Sequence, residues 1–415
     1  MARDAARILI VVQHLWGIGH VARTFAIAGA CAGLGARVQV ALGGPPTGLP
    51  VPHGVETVQL PSIRAADQTY RVLIDEAGDP VSQTLWDARR RMLLQALEDL
   101  RPSHVVTEHF PFGRRKQRAE FTALINRARS LDPRPRIVAS VRDIVEDPGD
   151  ARRRAAQLAL AACWFDAVLV HGDPTLIRLE DSLPHMRAIR DRLIYTGYVH
   201  RAVPAPTPAR ARRGVVVSAG GGRDAGPLIE AVLDIHRRGL AGPEPWTLVT
   251  GRLARTIAPG DIPPGLTVID HDPDLPARLA GAGLSISRAG YNTVAECLAA
   301  GTPMILVPRR DQEEEREQAL RAGALSGRGR AVEVSERDDT PLAEQLIHAL
   351  RRLHEDPHDD AARSPASDPG GFGSPQDGSS PGRLDRPRHA VGPAPRLDGA
   401  AWTAHWLAKS DLVAH

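Results

Sequence analysis

Along the first half of the chain, short apolar runs rich in branched residues alternate with longer stretches whose apolar positions recur at helical spacing. The runs fall at residues 7–13, 38–42, 104–107, 137–141, 167–170 and 193–196, with a helix expected over 20–34. Several are apolar throughout rather than alternating, which suits strands buried on both faces, so the βαβα order predicts a parallel sheet covered by helices on either side. A Pro/Ala/Arg stretch at 200–213 breaks the pattern and suits an extended linker. The alternation then restarts with strands at 215–218, 247–250, 266–269, 284–287 and 304–307 and helices at 227–238 and 291–300. Two α/β domains are expected, at 1–199 and 214–356, each a Rossmann-like doubly wound parallel sheet.

From 357 to 396 the pattern vanishes: 19 of 40 residues are Pro, Gly or Ser, too few apolar groups remain to order a core, and a disordered segment is expected. Leu397, Ala401, Trp402, His405, Trp406 and Leu407 then recur at helical spacing, so a helix over 397–410 is expected to dock on the body. A length of 415 residues agrees with two domains, being above the ~250–300 at which single cores stop growing.

Composition narrows the class. Hydrophobic residues at 42% and charged residues at 24% are those of a globular chain. The longest apolar runs are about five residues, against the ~20 of a membrane span and the 7–15 of a signal-peptide core. Cys31, Cys163 and Cys297 stand far apart with no CxxC pair, so neither a disulfide framework nor a zinc site is suggested and the cytoplasm is the expected compartment. The 52 basic and 49 acidic residues are too balanced for a nucleic-acid binder.

Ligands of doubly wound sheets sit beyond the carboxyl ends of the strands, so the chemistry is read from the residues just after each run. In the first half these residues are Gln13-His14 leading to Gly17-Ile18-Gly19-His20, then Glu108-His109, Arg142-Asp143, His171-Gly172-Asp173 and Gly197-Tyr198. In the second they are Gly220-Gly221-Gly222-Arg223-Asp224, Gly251-Arg252, His271-Asp272, Arg288-Ala289-Gly290 and Arg309-Arg310-Asp311-Gln312. Two such rims imply a cleft between the domains. Residues 17–22 also spell GxGxxA, but a dinucleotide site needs an acid about 20 residues on, and the second strand ends Ala41-Leu42-Gly43-Gly44, so NAD binding is set aside.

His20 opens a helix after a Gly-rich turn, where the helix field favours the neutral imidazole and suits removal of a hydroxyl proton; a histidine that merely packs the first turn is the plainer alternative. The glycines at 220–222 lie between strand and helix, where backbone N–H groups can receive a diphosphate, or form a plain turn. The stretch Ser287-Arg288-Ala289-Gly290-Tyr291-Asn292-Thr293 repeats that arrangement, and Glu296 stands about nine ångströms further up its helix, suited to vicinal ribose hydroxyls. Its neighbours Ala295, Cys297 and Leu298 leave Glu296 few partners. Asp272-Pro273-Asp274 spells a metal-binding DxD but reads as a loop and helix start, so no metal is expected.

Over about 283–324, the run from Ser287 through Glu296 to Ala299-Ala300-Gly301-Thr302-Pro303-Met304-Ile305-Leu306-Val307-Pro308 resembles the donor-binding segment of GT-B glycosyltransferases of the family-28 type. The N-terminal Val12-Gln13-His14-Leu15-Trp16-Gly17-Ile18-Gly19-His20, with 108–114 and 140–143, is more similar to an uncharacterised branch of predicted glycosyltransferases. The resemblance implies a GT-B fold with a cleft between its domains, and inverting transfer of a hexosyl group, with N-acetylhexosaminyl as the narrower option, from a UDP-sugar to an acceptor hydroxyl, with no cofactor. It implies His20 as base, Gly220, Gly221, Gly222 and Arg223 as phosphate loop, His271 and Asp272 beside the nucleobase, and Ser287, Arg288, Gly290, Asn292 and Thr293 at the donor turn. Glu296 would hold the ribose and Gln312 the sugar; Gly17, Gly19, Glu108, His109, Arg114, Arg142 and Asp143 are acceptor-side candidates. Departures are Gly-Ile-Gly-His in place of a run of glycines and Glu313-Glu314-Glu315 after Gln312. A nucleotide-sugar 2-epimerase of the same fold and a non-catalytic nucleotide-sugar binder stay open. So does peripheral contact with the inner face of a membrane through Phe110, Phe112 and Arg114-Arg115-Lys116, beside an ordinary solvated loop.

Overall fold

The computed structural model describes residues 5–15, 17–67, 70–220, 226–251, 257–309, 316–336, 339–355 and 394–409. The first part of the chain builds strands β1 (Arg7–Val12), β2 (Arg37–Leu42), β3 (Val55–Gln59), a short antiparallel pair β4 (Arg64–Ala65) and β5 (Leu73–Ile74), then β6 (His104–Glu108), β7 (Arg136–Arg142), β8 (Ala167–His171) and β9 (Leu193–Tyr195). Between them run α1 (Gly19–Gly33), α2 (Gln83–Leu100), α3 (Arg118–Arg129), α4 (Ala151–Trp164) and the single turn α5 (Leu179–Ser182). Seven strands form one parallel sheet in the order β3-β2-β1-β6-β7-β8-β9.

The second part runs β10 (Val215–Ser218), α6 (Gly226–Arg237), β11 (Trp246–Val249), β12 (Leu266–Ile269), α7 (Leu275–Gly281), β13 (Leu284–Ser287), α8 (Tyr291–Ala300), β14 (Met304–Leu306), α9 (Arg316–Ser326), β15 (Val332–Glu333) and α10 (Leu342–Glu355). Its sheet is parallel throughout, in the order β12-β11-β10-β13-β14-β15. A last helix, α11 (Gly399–Lys409), lies against α1 and adds Ala404 and Leu407 to the core beneath it.

Local chemistry fixes the element ends. Ser82 accepts the Leu85 amide to start α2, Asp150 accepts the Arg153 amide to start α4, and Gly301 turns left-handed to close α8. The edge strand β3 has no counterpart among the apolar runs because its residues are half or fully exposed, with Glu56 paired to Arg37 on β2. Both sheets are buried on two faces, as their uninterrupted apolar strands require. One core crosses between the two parts, joining Ile144, Leu176, Ile177 and Tyr198 to Tyr291, Val294 and Leu325. Phe110 and Phe112 are also buried, Phe110 stacked on Phe121 at 4.5 Å, so the aromatic half of the expected membrane patch does not exist on the surface.

In each sheet the strand order reverses once, between β1 and β6 and between β10 and β13. At those points the flanking helices diverge and leave a crevice beyond the strand ends. The residues after β1, β6, β10 and β13 are those that the sequence pattern singles out.

Candidate active site between the two sheets

At the first crevice, His20 is the second residue of α1 and Glu108 the last of β6. His20 Nδ1 stands 2.9 Å from Glu108 Oε1 and 3.2 Å from Arg23 Nη2. A carboxylate only accepts, so the shorter contact puts the proton on Nδ1 and leaves the Nε2 lone pair free for a hydroxyl. Arg23, one helical turn on from His20, donates to the same Glu108 oxygen, and Ser140 Oγ donates to the other at 2.5 Å. Burial opposes the charge on Glu108, yet Arg23 and the Ser140 hydrogen bond hold its carboxyl below the ordinary value.

The imidazole is kept neutral. Burial, then the charges of Arg114, Arg23, Arg142 and His14, push His20 well below its usual pKa. The His109 ring, 5.2 Å from the His20 ring, is depressed by burial, Arg114 and His20. His109 itself has a left-handed backbone at φ 67°, and a Cβ on Gly113 would collide with its ring, so this loop folds back tightly beside His20. Arg114 donates from Nε to the Gln13 carbonyl at 2.5 Å.

At the second crevice, Gly290 precedes α8, whose N-terminus has no side-chain cap and no acid in its first turn. Its leading amides therefore keep the partial positive charge that suits a phosphate. The buried Ser287 hydroxyl has no partner among the described residues. Gly220 after β10 is left-handed at φ 84°, and a Cβ there would lie 3.7 Å from Arg288 Cγ, so the two turns adjoin. Arg288 is buried against Glu336, with its Nη1 also 3.3 Å from the Val307 carbonyl. A Cβ on Gly19 would come within 2.7 Å of Asn292 Nδ2, which brings the starts of α1 and α8 face to face across the cleft, with Thr293 half-buried beside Asn292. Gly17 is exposed, with nothing within reach of such a Cβ.

Two expectations are corrected by the geometry, the open acceptor side at Arg142-Asp143 and the lack of partners for Glu296. Asp143 does not face an open cleft: it is fully buried and takes Arg321 Nε at 2.9 Å and Nη2 at 2.6 Å from α9, because the end of β7 meets the other domain there. Arg142 beside it pairs with Glu317 at 2.6 Å, also across the junction. Glu296 is not short of partners: Arg201, on the chain between the sheets, grips it with Nε–Oε1 at 2.7 Å and Nη2–Oε2 at 3.1 Å. Burial pushes the Glu296 carboxyl above its ordinary value while Arg201 pulls it back. His271 is exposed; Asp272 accepts Arg278 Nε at 2.5 Å and the Asp274 amide at 2.9 Å just ahead of α7. Gly221, Gly222, Arg223 and Gln312, and nearly all of 357–396, lie outside the described residues.

Sequence reasoning gave no role to Arg23, Tyr291, Arg201 or Arg321. Arg23 stands three residues after His20 on one helix face, which is a readable signal. Tyr291, at the start of α8, has the Arg23 guanidinium 5.1 Å and that of Arg321 5.7 Å from its ring centre, and its hydroxyl accepts the Val199 amide at 2.9 Å. Only the assembled domains bring these groups together. Among the described residues, no group of three or more His, Cys, Asp or Glu side chains could hold a metal ion.

Residues 216–374 match the Glycosyltransferase family 28 C-terminal domain. The UDP-N-acetylglucosamine--N-acetylmuramyl-(pentapeptide) pyrophosphoryl-undecaprenol N-acetylglucosamine transferase of Rhodopseudomonas palustris (strain BisB18) is 44% identical over 84 residues, 20% of this chain and 22% of the relative. The protein of the same name in Desulforudis audaxviator (strain MP104C) is 34% identical over 167 residues, 37% of this chain and 43% of the relative. The chain thus matches less than half the length of these curated relatives. The solved glycotransferase of kitacinnamycin superposes with a TM-score of 0.58 at 17% identity, over 87% of this chain and 93% of that one. The fold is GT-B: two parallel α/β sheets facing a cleft. Within that fold, the part of the chain at 216–374 is similar to the family-28 C-terminal domain.

Proposed function

We propose that the protein transfers a hexosyl group from a UDP-sugar to an acceptor hydroxyl with inversion, an N-acetylhexosaminyl group being the narrower form. The observation that carries this reading is the neutral His20 bound through Nδ1 to the buried Glu108 at the mouth of the first crevice, opposite the uncapped start of α8. His20 Nε2 takes the acceptor proton, the acceptor oxygen attacks the anomeric carbon, and the carbon–oxygen bond to the diphosphate breaks with its electron pair leaving on UDP. The amides at the start of α8 and the turn at Gly220 receive that diphosphate. Glu296 receives the ribose; its two oxygens each keep a lone pair beyond those taken by Arg201, and the buried carboxylate must become accessible for this.

The relatives named above are transferases that use a UDP-sugar, which favours transfer over 2-epimerisation. Action at the inner face of a membrane rests only on the undecaprenol in the relatives' name, since Phe110 and Phe112 are buried. No helix among the described residues is long and apolar enough to cross a membrane. Thermal shift with UDP, GDP, dTDP, NAD and several UDP-sugars tests the donor class, because ligand at 100 times Kd stabilises by about 2.7 kcal/mol. A shift with NAD alone, or with none of these, would overturn the reading.

A further inference from the structure

Behind His20 and Glu108 a file of buried polar groups crosses the first sheet. Ser140 on β7 is the register partner of Glu108 on β6, and its Oγ lies 2.5 Å from Glu108 Oε2 and 3.0 Å from His171 Nε2. His171, the last residue of β8, has Nδ1 2.9 Å from Thr196 Oγ1. Glu108, Ser140, His171 and Thr196 are each at most 2% exposed. His20 and Arg23 both sit on Oε1 of Glu108, whereas Oε2 is held by Ser140.

We propose that Ser140 and His171 are positioning residues for the His20–Glu108 pair, and that the charge on Glu108 fixes the direction of every hydrogen bond from Thr196 to His20. An ionised carboxylate only accepts, so the single Ser140 proton goes to Oε2. The Ser140 oxygen then accepts from His171, which must carry its proton on Nε2. Nδ1 of His171 is left as a lone pair and takes the Thr196 proton. The competing arrangement puts the His171 proton on Nδ1 and turns the Thr196 hydroxyl to the Gly197 carbonyl, 2.9 Å away. In that arrangement His171 Nε2 and Glu108 Oε2 compete for one Ser140 proton, and a buried charged oxygen is left short of a donor. Anchoring Oε2 stops the carboxylate from rotating and so aims Oε1 at His20. Burial and the charge of Arg23 keep His171 neutral, as the file requires, by pushing it down to about 3.

The catalytic meaning of this file rests on the reading of His20 as base, but its test does not. Ring-nitrogen NMR of the full chain labelled with ¹⁵N-histidine, assigned through single His→Gln variants, reads tautomers and titrations without any acceptor. In wild type, His171 is expected as the neutral Nε2–H form with no titration from about pH 8 to 5, and His20 as Nδ1–H. In Ser140→Ala, His171 shifts toward Nδ1–H, and the His20 midpoint rises by about half a unit because a carboxylate that has lost a donor attracts the imidazolium more strongly. The groups that also face His20, namely Arg23, Arg114, Arg142, His14 and His109, are untouched by that change. Ser140→Thr restores both signals. A wild-type His171 found as Nδ1–H or as imidazolium overturns the proposal, as does an unmoved His20 midpoint in folded Ser140→Ala. If Ser140→Ala does not fold, the wild-type tautomer decides. Transfer that survives His20→Ala would instead remove the base reading and leave these tautomers as they are.

Discussion

Arg321 and Asp143 form a fully buried, two-pronged ion pair between a helix of one domain and a strand end of the other, and Arg321 also donates to the Ala289 carbonyl at 2.6 Å, one residue before the Gly290 cap of α8. The contact that joins the domains thus also holds the donor-side turn. Removing one partner of such a pair strands the other charge, so Arg321→Ala is expected to destabilise the fold by about 3–5 kcal/mol. Urea unfolding checks this. Asp143→Ala with Arg321→Ala should cost less than the two single changes added together, and strict additivity would show that the pair is not coupled.

Acid should unfold the protein early through its buried neutral histidines. Burial lowers His14 to about 4 and His171 to about 3, against an ordinary value of 6.5. Below 6.5 the unfolded chain binds protons that the folded one refuses, so stability is complete above that pH and is lost as pH falls toward these values. Glu108 acts with the same sign: held below its ordinary value, it contributes stability that is lost as pH falls through its folded value. Urea midpoints at about pH 7 and pH 5 should differ more in wild type than in His171→Gln, and equal differences would exclude His171 from this effect.

Glu296→Ala should weaken UDP binding about tenfold or more, the loss expected when hydrogen bonds to a charged group are removed. Arg201→Ala leaves the buried carboxylate without its fork, and its pKa, already raised by burial, rises further. An acid whose folded pKa is raised favours the fold below its unfolded value and loses that contribution as pH rises through the folded one. Arg201→Ala should therefore be most stable in mild acid and weaken toward neutrality. A thermal melt series over pH reads this, and a flat difference from wild type would argue against an ionised Glu296 in the pair.

Both sheets and the rims of the cleft were legible because buried parallel strands leave unbroken apolar runs, and the polar residues that end them mark the crevices. His20, Glu108 and Gly290 could be named from position alone. Asp143 and Glu296 could be singled out from their positions, yet the partners that hold them, Arg321 and Arg201, lie 178 and 95 residues away in sequence. No local pattern carries such pairings; they exist only once two domains meet. The strand β3 went unread because an exposed edge has no apolar run to show.

The most direct test of the central claim is UDP release from a UDP-hexose, with an acceptor found by screening, in wild type and in His20→Ala, alongside UDP affinity in both. Loss of the base should slow transfer by ~10²–10⁴-fold while UDP affinity stays the same. Transfer at the wild-type rate in His20→Ala would contradict the account.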